Sequence, residues 1–174
     1  TAPVGIFLPS LKEPKSAKWV EDQISNLSPS CIVNATAFSA KNKNGVSPLD
    51  IGNVPIFQIA LSTNDKKSWE KEDRGLSPTN MAMHVALPEI DGRIFAGVAS
   101  FKKKMPTDFK LQFNEIKHET YKDGISSITQ KVKSWIKLQN IPLKMKKPAV
   151  ILSTYPGKKW QIAHAVGLDT ISSC

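Results

Sequence analysis

Arginine, cysteine and long apolar runs are all scarce in this chain, and each shortage closes off a class of function. Of the 24 Lys and Arg cations only Arg74 and Arg93 are arginines. Proteins that read bases lean on the planar guanidinium fork, and the lysines fall in short clusters such as Lys102-Lys103-Lys104 and Lys144-Lys146-Lys147. The net charge of +9 is therefore read as a solvated lysine surface, suited at most to an anionic small molecule, and no nucleic-acid partner is expected. The two cysteines, Cys31 and Cys174, stand too far apart for a metal-ligand spacing, so a reduced, cytoplasmic chain is expected. No apolar run approaches the roughly 20 residues that span a bilayer, so no membrane span is expected. The start, TAPVGIFLPSLKEP, lacks the charged and apolar regions of a signal peptide. GxxxxGK[ST], GxGxxG, HExxH, CxxC and GxSxG are all missing, which removes phosphate-loop, dinucleotide, zincin, zinc-ribbon and serine-hydrolase chemistry.

What is present is an ordinary globular composition, 40% hydrophobic and 22% charged, in which strand-like and helix-like segments alternate. Val4–Leu8, Cys31–Thr36 and Val54–Leu61 are short apolar runs expected as strands. Ala17, Val20, Ile24 and Leu27 recur at helical spacing after Pro14. Residues 40–53 carry loop chemistry. Ser77-Pro78 forms a helix start, with serine as cap and proline in the first turn; the apolar helix it opens is expected to be buried and to end at Pro88. Arg93–Phe101 and Phe109–Thr120 can pair as a hairpin across a lysine-rich turn. Asp123-Gly124 opens an amphipathic helix through Ile128, Val132 and Ile136, and a further strand is expected at Ala149–Thr154.

The expected fold is α/β: a mainly parallel, Rossmann-like layered sheet with helices on both faces and an additional β-hairpin. Residues 1–145 are assigned to one α/β domain and 146–174 to the truncated start of the next unit, since the chain stops at Ser172-Ser173-Cys174 like a piece of something longer. Ligands of such sheets bind beyond the carboxyl ends of the strands, which directs attention to Pro9-Ser10, Thr36-Ala37-Phe38, Ser62-Thr63 and Tyr155-Pro156-Gly157-Lys158.

The densest chemistry lies in DRGLSPTNMAMHVALPEIDGRI, residues 73–94, which holds both arginines, His84, Glu89 and Asp91. In extended backbone, positions two apart face the same side, so Glu89 and Asp91 can converge on a cation or proton. Equally, Asp91-Gly92 can be a turn into the next strand, Glu89 can pair with Arg93, and His84 can be a core histidine bonded to a carbonyl.

The block VPIFQIALSTNDKKSWEKEDRGLSPTNMAMHVALPEIDGRI resembles the large-subunit family of aerobic cobaltochelatase and, more distantly, of magnesium chelatase. FLPSLKEPKSAKWV, IVNATAFSAKNKNGVSPLD and AVILSTYPGKKWQIAHAVGLDT resemble further blocks of that family in the same order. The resemblance implies a subunit that binds a tetrapyrrole and carries the insertion site, with hydrogenobyrinic acid a,c-diamide as corrinoid precursor and cobalt as co-substrate. It implies no tightly bound cofactor, with ATP used by a separate AAA+ type ATPase subunit beside an integrin-like chelatase subunit. Metal insertion needs a transient ligand and a proton acceptor. Glu89 is the first candidate, then Asp91 and His84, with Glu89 and His84 as candidate metal ligands. Arg93, Arg74 and Lys158 are candidates to receive peripheral carboxylates, Tyr155 to pack on the ring, and Thr36 by its place after a strand. The alternative is a non-catalytic scaffold or docking domain of the same subunit, contacting the ATPase partner or neighbouring domains.

Overall fold

The structure, a computed structural model, describes residues 2–73, 75–152 and 172. The chain divides into two compact units, Thr1–Gln139 and Asn140–Cys174.

In the first unit, α1 (Pro14–Leu27) starts with proline in its first turn and ends at Ser28, whose left-handed backbone (φ 43°) returns its N–H to the Ile24 carbonyl. Its buried face is Val20 and Ile24. The strands β1 (Ile32–Asn34), β2 (Ile56–Ser62), β3 (Ile94–Asp108) and β4 (Phe113–Thr120) form one sheet in the order β1-β2-β3-β4. The β1/β2 and β2/β3 pairs are parallel, and β3/β4 is antiparallel.

Alternation along β2 divides the core between the two faces of the sheet. Ile56 joins Leu11, Val20, Ile24, Ala40 and Leu49 on the side of α1. Phe57, its neighbour, joins Ala96, Ala99 and Ile128 on the side of α5 (Lys122–Asn140). Helices thus cover both faces, as a parallel sheet requires, and the layered α/β architecture with an added hairpin stands as expected. Two bulges on β3 pass two residues against one of β2; beside one of them, the Ala96 carbonyl accepts from Lys131 of α5 at 2.8 Å. Gly124 brings the first turn of α5 against β3, since a Cβ there would collide with the Val98 carbonyl oxygen.

The connection from β2 to β3 carries α2 (Lys66–Lys71) and then α3 (Pro78–Met81), which continues through a π turn (Ala82–Ala86) into α4 (Leu87–Ile90). Ser77 caps α3 through the Asn80 N–H as the sequence implies. Pro88, however, does not end the helix. The Leu87 N–H reaches back to the Ala82 carbonyl, and this widened turn accommodates a residue without an N–H, so the helix runs on to Ile90.

Other expectations are corrected as well. Val4–Leu8 forms no strand; flanked by Pro3 and Pro9, it packs half-buried Ile6 and Leu8 against the core without joining the sheet. Lys102-Lys103-Lys104 lie within β3 rather than in the hairpin turn, which falls at residues 109–112. In the second unit, a 3-10 turn spans Leu143–Met145, and Ala149–Leu152 carry no strand; Ser153 and Thr154 lie outside the described residues.

Candidate functional site

Polar side chains interrupt the apolar strands, one at the end of β1 and one within β2, and the site is built on them. Asn34, the last residue of β1, and Gln58 of β2 are both buried, a cost that hydrogen bonding must offset. Asn34 Nδ2 donates to Gln58 Oε1 at 2.8 Å, and Gln58 Nε2 donates to the Thr36 carbonyl at 3.0 Å. Asn34 Oδ1 accepts from the Thr36 hydroxyl at 2.9 Å and from its N–H at 3.2 Å. The chain leaving β1 is therefore fixed by side chains of the sheet itself.

The next residues are held by the α3–α4 helix. Because Pro88 has no N–H, the Met83 carbonyl is left free by the π turn and accepts from Phe38 N at 2.8 Å. Asp91, just past α4, accepts from the Ser39 hydroxyl at 2.8 and 2.9 Å and from Ala40 N at 2.7 Å. The loop 36–40 thus bridges the sheet and the helix, and with residues 8–12 it walls a cleft of about 340 Å³. Leu8, Pro9, Lys12, Thr36, Ala37 and Phe38 are among its lining. Among the described residues, a recess of about 360 Å³ on α5 is lined by that one helix alone, between Ser126 and Ser134.

A second polar knot closes the end of β2. Fully buried Asn80 accepts from Thr63 N and Thr63 Oγ1, each at 3.1 Å, and donates to Asn64 Oδ1 at 2.8 Å. His84, on the π turn, is only 4% exposed. Burial and nearby His118 push its pKa down, against the opposing effect of its hydrogen bond to the Leu61 backbone, and Nδ1 has no partner among the described residues.

The residues singled out in the sequence therefore part company. Glu89 and Asp91 do not converge, because the segment is helical rather than extended. Asp91 is 7% exposed and spent on the loop, whereas Glu89 faces solvent. Arg93 pairs with Asp50 and not with Glu89; its side chain is 4% exposed, and its buried Nε and Nη2 have no hydrogen-bond partner among the described residues. Asp91-Gly92 is a turn, with Gly92 N donating to the Glu89 carbonyl at 2.8 Å and φ of 82°. Thr36 does lie on the cleft wall. Arg74, Tyr155 and Lys158 lie outside the described residues. Among the described residues, no three His, Cys, Asp or Glu side chains gather as a metal cage, and no helix is long and apolar enough to cross a membrane.

Sequence reasoning missed Asp50 as the partner of Arg93 and the Asn34–Gln58–Asn80 set. For Asn34 and Gln58 the signal was available: a lone polar residue inside an otherwise apolar strand implies a partner.

Comparison with known proteins agrees with this architecture. A family model described as CobN/Magnesium Chelatase matches residues 1–174. The chain is 29% identical over 168 residues to the aerobic cobaltochelatase subunit CobN of a Sinorhizobium species, covering 95% of this chain and 13% of that protein. It is 31% identical over 169 residues to the CobN subunit of Pseudomonas aeruginosa, covering 97% of this chain and 14% of that protein. The solved catalytic subunit of cobaltochelatase from Mycobacterium tuberculosis is similar in fold, with a TM-score of 0.50 and 24% identity, over 68% of this chain and 10% of that one.

Proposed function

The chain belongs to the CobN/magnesium chelatase family, and we propose that it serves as a segment of a CobN-type cobaltochelatase large subunit that holds a tetrapyrrole while cobalt is inserted. The observation that carries this reading is the cleft of about 340 Å³ beyond the carboxyl end of β1, walled by a loop anchored to both sheet and helix. A cleft of that size holds an edge of a macrocycle. The chain spans about 13% of the Sinorhizobium relative, so other parts of the subunit would supply the remaining contacts. The proposed substrate is hydrogenobyrinic acid a,c-diamide, in cytoplasmic cobalamin biosynthesis. ATP would be spent by an AAA+ type partner working with an integrin-like subunit.

Insertion strips water from the cation and removes two pyrrole protons, work suited to a carboxylate within reach of both. Of the candidates, Glu89 is the one whose carboxylate is free to do it, since Asp91 is committed to the loop and His84 is enclosed. For the peripheral carboxylates, Lys12 on the cleft wall is better placed than Arg93, which is enclosed against Asp50. Arg74, Tyr155 and Lys158 remain proposed contacts of the macrocycle.

A docking role is favoured by a different observation. The tip of the β3–β4 hairpin leaves Phe109, Leu111 and Phe113 exposed, a surface that suits a neighbouring domain or the ATPase partner.

Absorbance titration of the full-length subunit with hydrogenobyrinic acid a,c-diamide tests the reading. Saturable binding is expected, and its absence favours docking. Glu89→Gln should leave binding and thermal stability unchanged, since the side chain is exposed, and lower cobalt insertion at least about tenfold. A normal insertion rate would remove Glu89 from the chemistry.

A further inference from the structure

Phe38 occupies a backbone conformation that phenylalanine rarely takes. Its φ is 66°, in the left-handed region where glycine is at ease and a bulky residue carries a strain on the order of 1–3 kcal/mol. The surroundings enforce it. The Thr36 N–H and carbonyl, the Phe38 N–H and the Ala40 N–H are each tied to a named partner on β1, β2, the π turn or Asp91. Yet the ring is not fixed there in order to fill the core. It remains 50% exposed, on the wall of the cleft. A connecting turn could place glycine or asparagine at this position with less strain, and a core residue would be buried. Strain, anchoring and exposure coincide at one side chain.

We infer that Phe38 is a substrate-contacting residue, an aromatic platform against which the ring of the tetrapyrrole packs, and that Asp91 is the positioning residue that holds it in place. This rests on the tetrapyrrole-binding reading above and deepens it. The chemistry of the cleft matches such a ligand: an aromatic face, aliphatic walls from Leu8, Pro9 and Ala37, and the cation of Lys12 for a peripheral carboxylate. Asp91 accounts for the carboxylate that the sequence places beside Glu89. Its work is done on the Ser39 hydroxyl and the Ala40 N–H and reaches the substrate only through the loop.

The test is absorbance titration of the full-length subunit with hydrogenobyrinic acid a,c-diamide, paired with thermal unfolding. Phe38→Gly removes the ring and relieves the backbone, so Kd should rise about tenfold while Tm stays level or increases. Phe38→Tyr keeps the aromatic face and should bind within about twofold of wild type. Asp91→Asn should raise Kd in the wild-type background and add nothing in the Phe38→Gly background, a coupling that a purely structural role would not produce. If wild type binds and Phe38→Gly binds equally well, Phe38 is no platform and the tetrapyrrole-binding reading survives. If wild type does not bind, that reading falls and this inference falls with it. A drop in Tm for Phe38→Gly would show that the ring supports the fold, and would also overturn the proposal.

Discussion

His84 shows how a single side chain can join the stability of the fold to pH. The ring is enclosed between the π turn and β2, bonded to the Leu61 backbone, with His118 of β4 acting on it electrostatically. Burial comes first among the causes that lower its pKa below the ordinary 6.5, and His118 adds to it. In the unfolded chain the imidazole takes up a proton more readily than in the fold. The contribution of neutral His84 is therefore complete above pH 6.5 and is lost as pH falls through the depressed folded value. Urea unfolding of wild type and His84→Gln from pH 7.5 to 5 should show wild type losing stability relative to the variant as the solution is acidified. Parallel curves would mean that His84 is not the group being titrated. The same residue shows what the sequence can and cannot carry. A histidine on an apolar helix signals burial, and the structure buries it; the carbonyl it meets belongs to a strand more than twenty positions earlier, which no local pattern announces.

At the scale of elements, starts were more legible than ends. A serine cap followed by proline specifies where α3 begins through groups within one turn of each other, and Ser77 does cap it. The end expected at Pro88 failed because the missing N–H is compensated at a distance. The π turn leaves the Met83 carbonyl open, and Phe38 N, across the loop, occupies it at 2.8 Å. The error over Glu89 and Asp91 follows directly: once the helix passes Pro88, the two carboxylates are set by helical spacing and turn apart. Restoring the donor should reverse the exchange. Pro88→Ala supplies an N–H that competes with Phe38 for the Met83 carbonyl, so hydrogen exchange at the Phe38 amide should accelerate at least about tenfold. The Ala40 amide, held by Asp91, should change less. Unchanged protection at Phe38 would show that the proline is not what commits this carbonyl to the loop.

For the whole molecule, alternation along β2 made the two-faced α/β architecture legible, because Ile56 and Phe57 must point to opposite sides and both are apolar. The cleft was legible only as a place, the carboxyl end of β1, since its walls come from segments that do not touch in sequence. Nucleotide binding is a property on which the whole chain gives a firm expectation. A phosphate loop needs a leading glycine, a Gly-Lys pair and a following Ser or Thr to present backbone N–H groups and a magnesium ligand. Gly157-Lys158 is preceded by Leu152 at the position of the leading glycine and followed by Lys159. The net charge of +9 will nonetheless draw ATP loosely at low salt, where screening extends to about 30 Å at 0.01 M but only about 8 Å at 0.15 M. Calorimetry with MgATP at 0.15 M salt should therefore give no saturable heat, and no phosphate should be released, while weak heats seen at 0.01 M should vanish as salt is added. Stoichiometric saturation that persists at 0.15 M would place a nucleotide site on this chain and undo the assignment of ATP to a separate subunit.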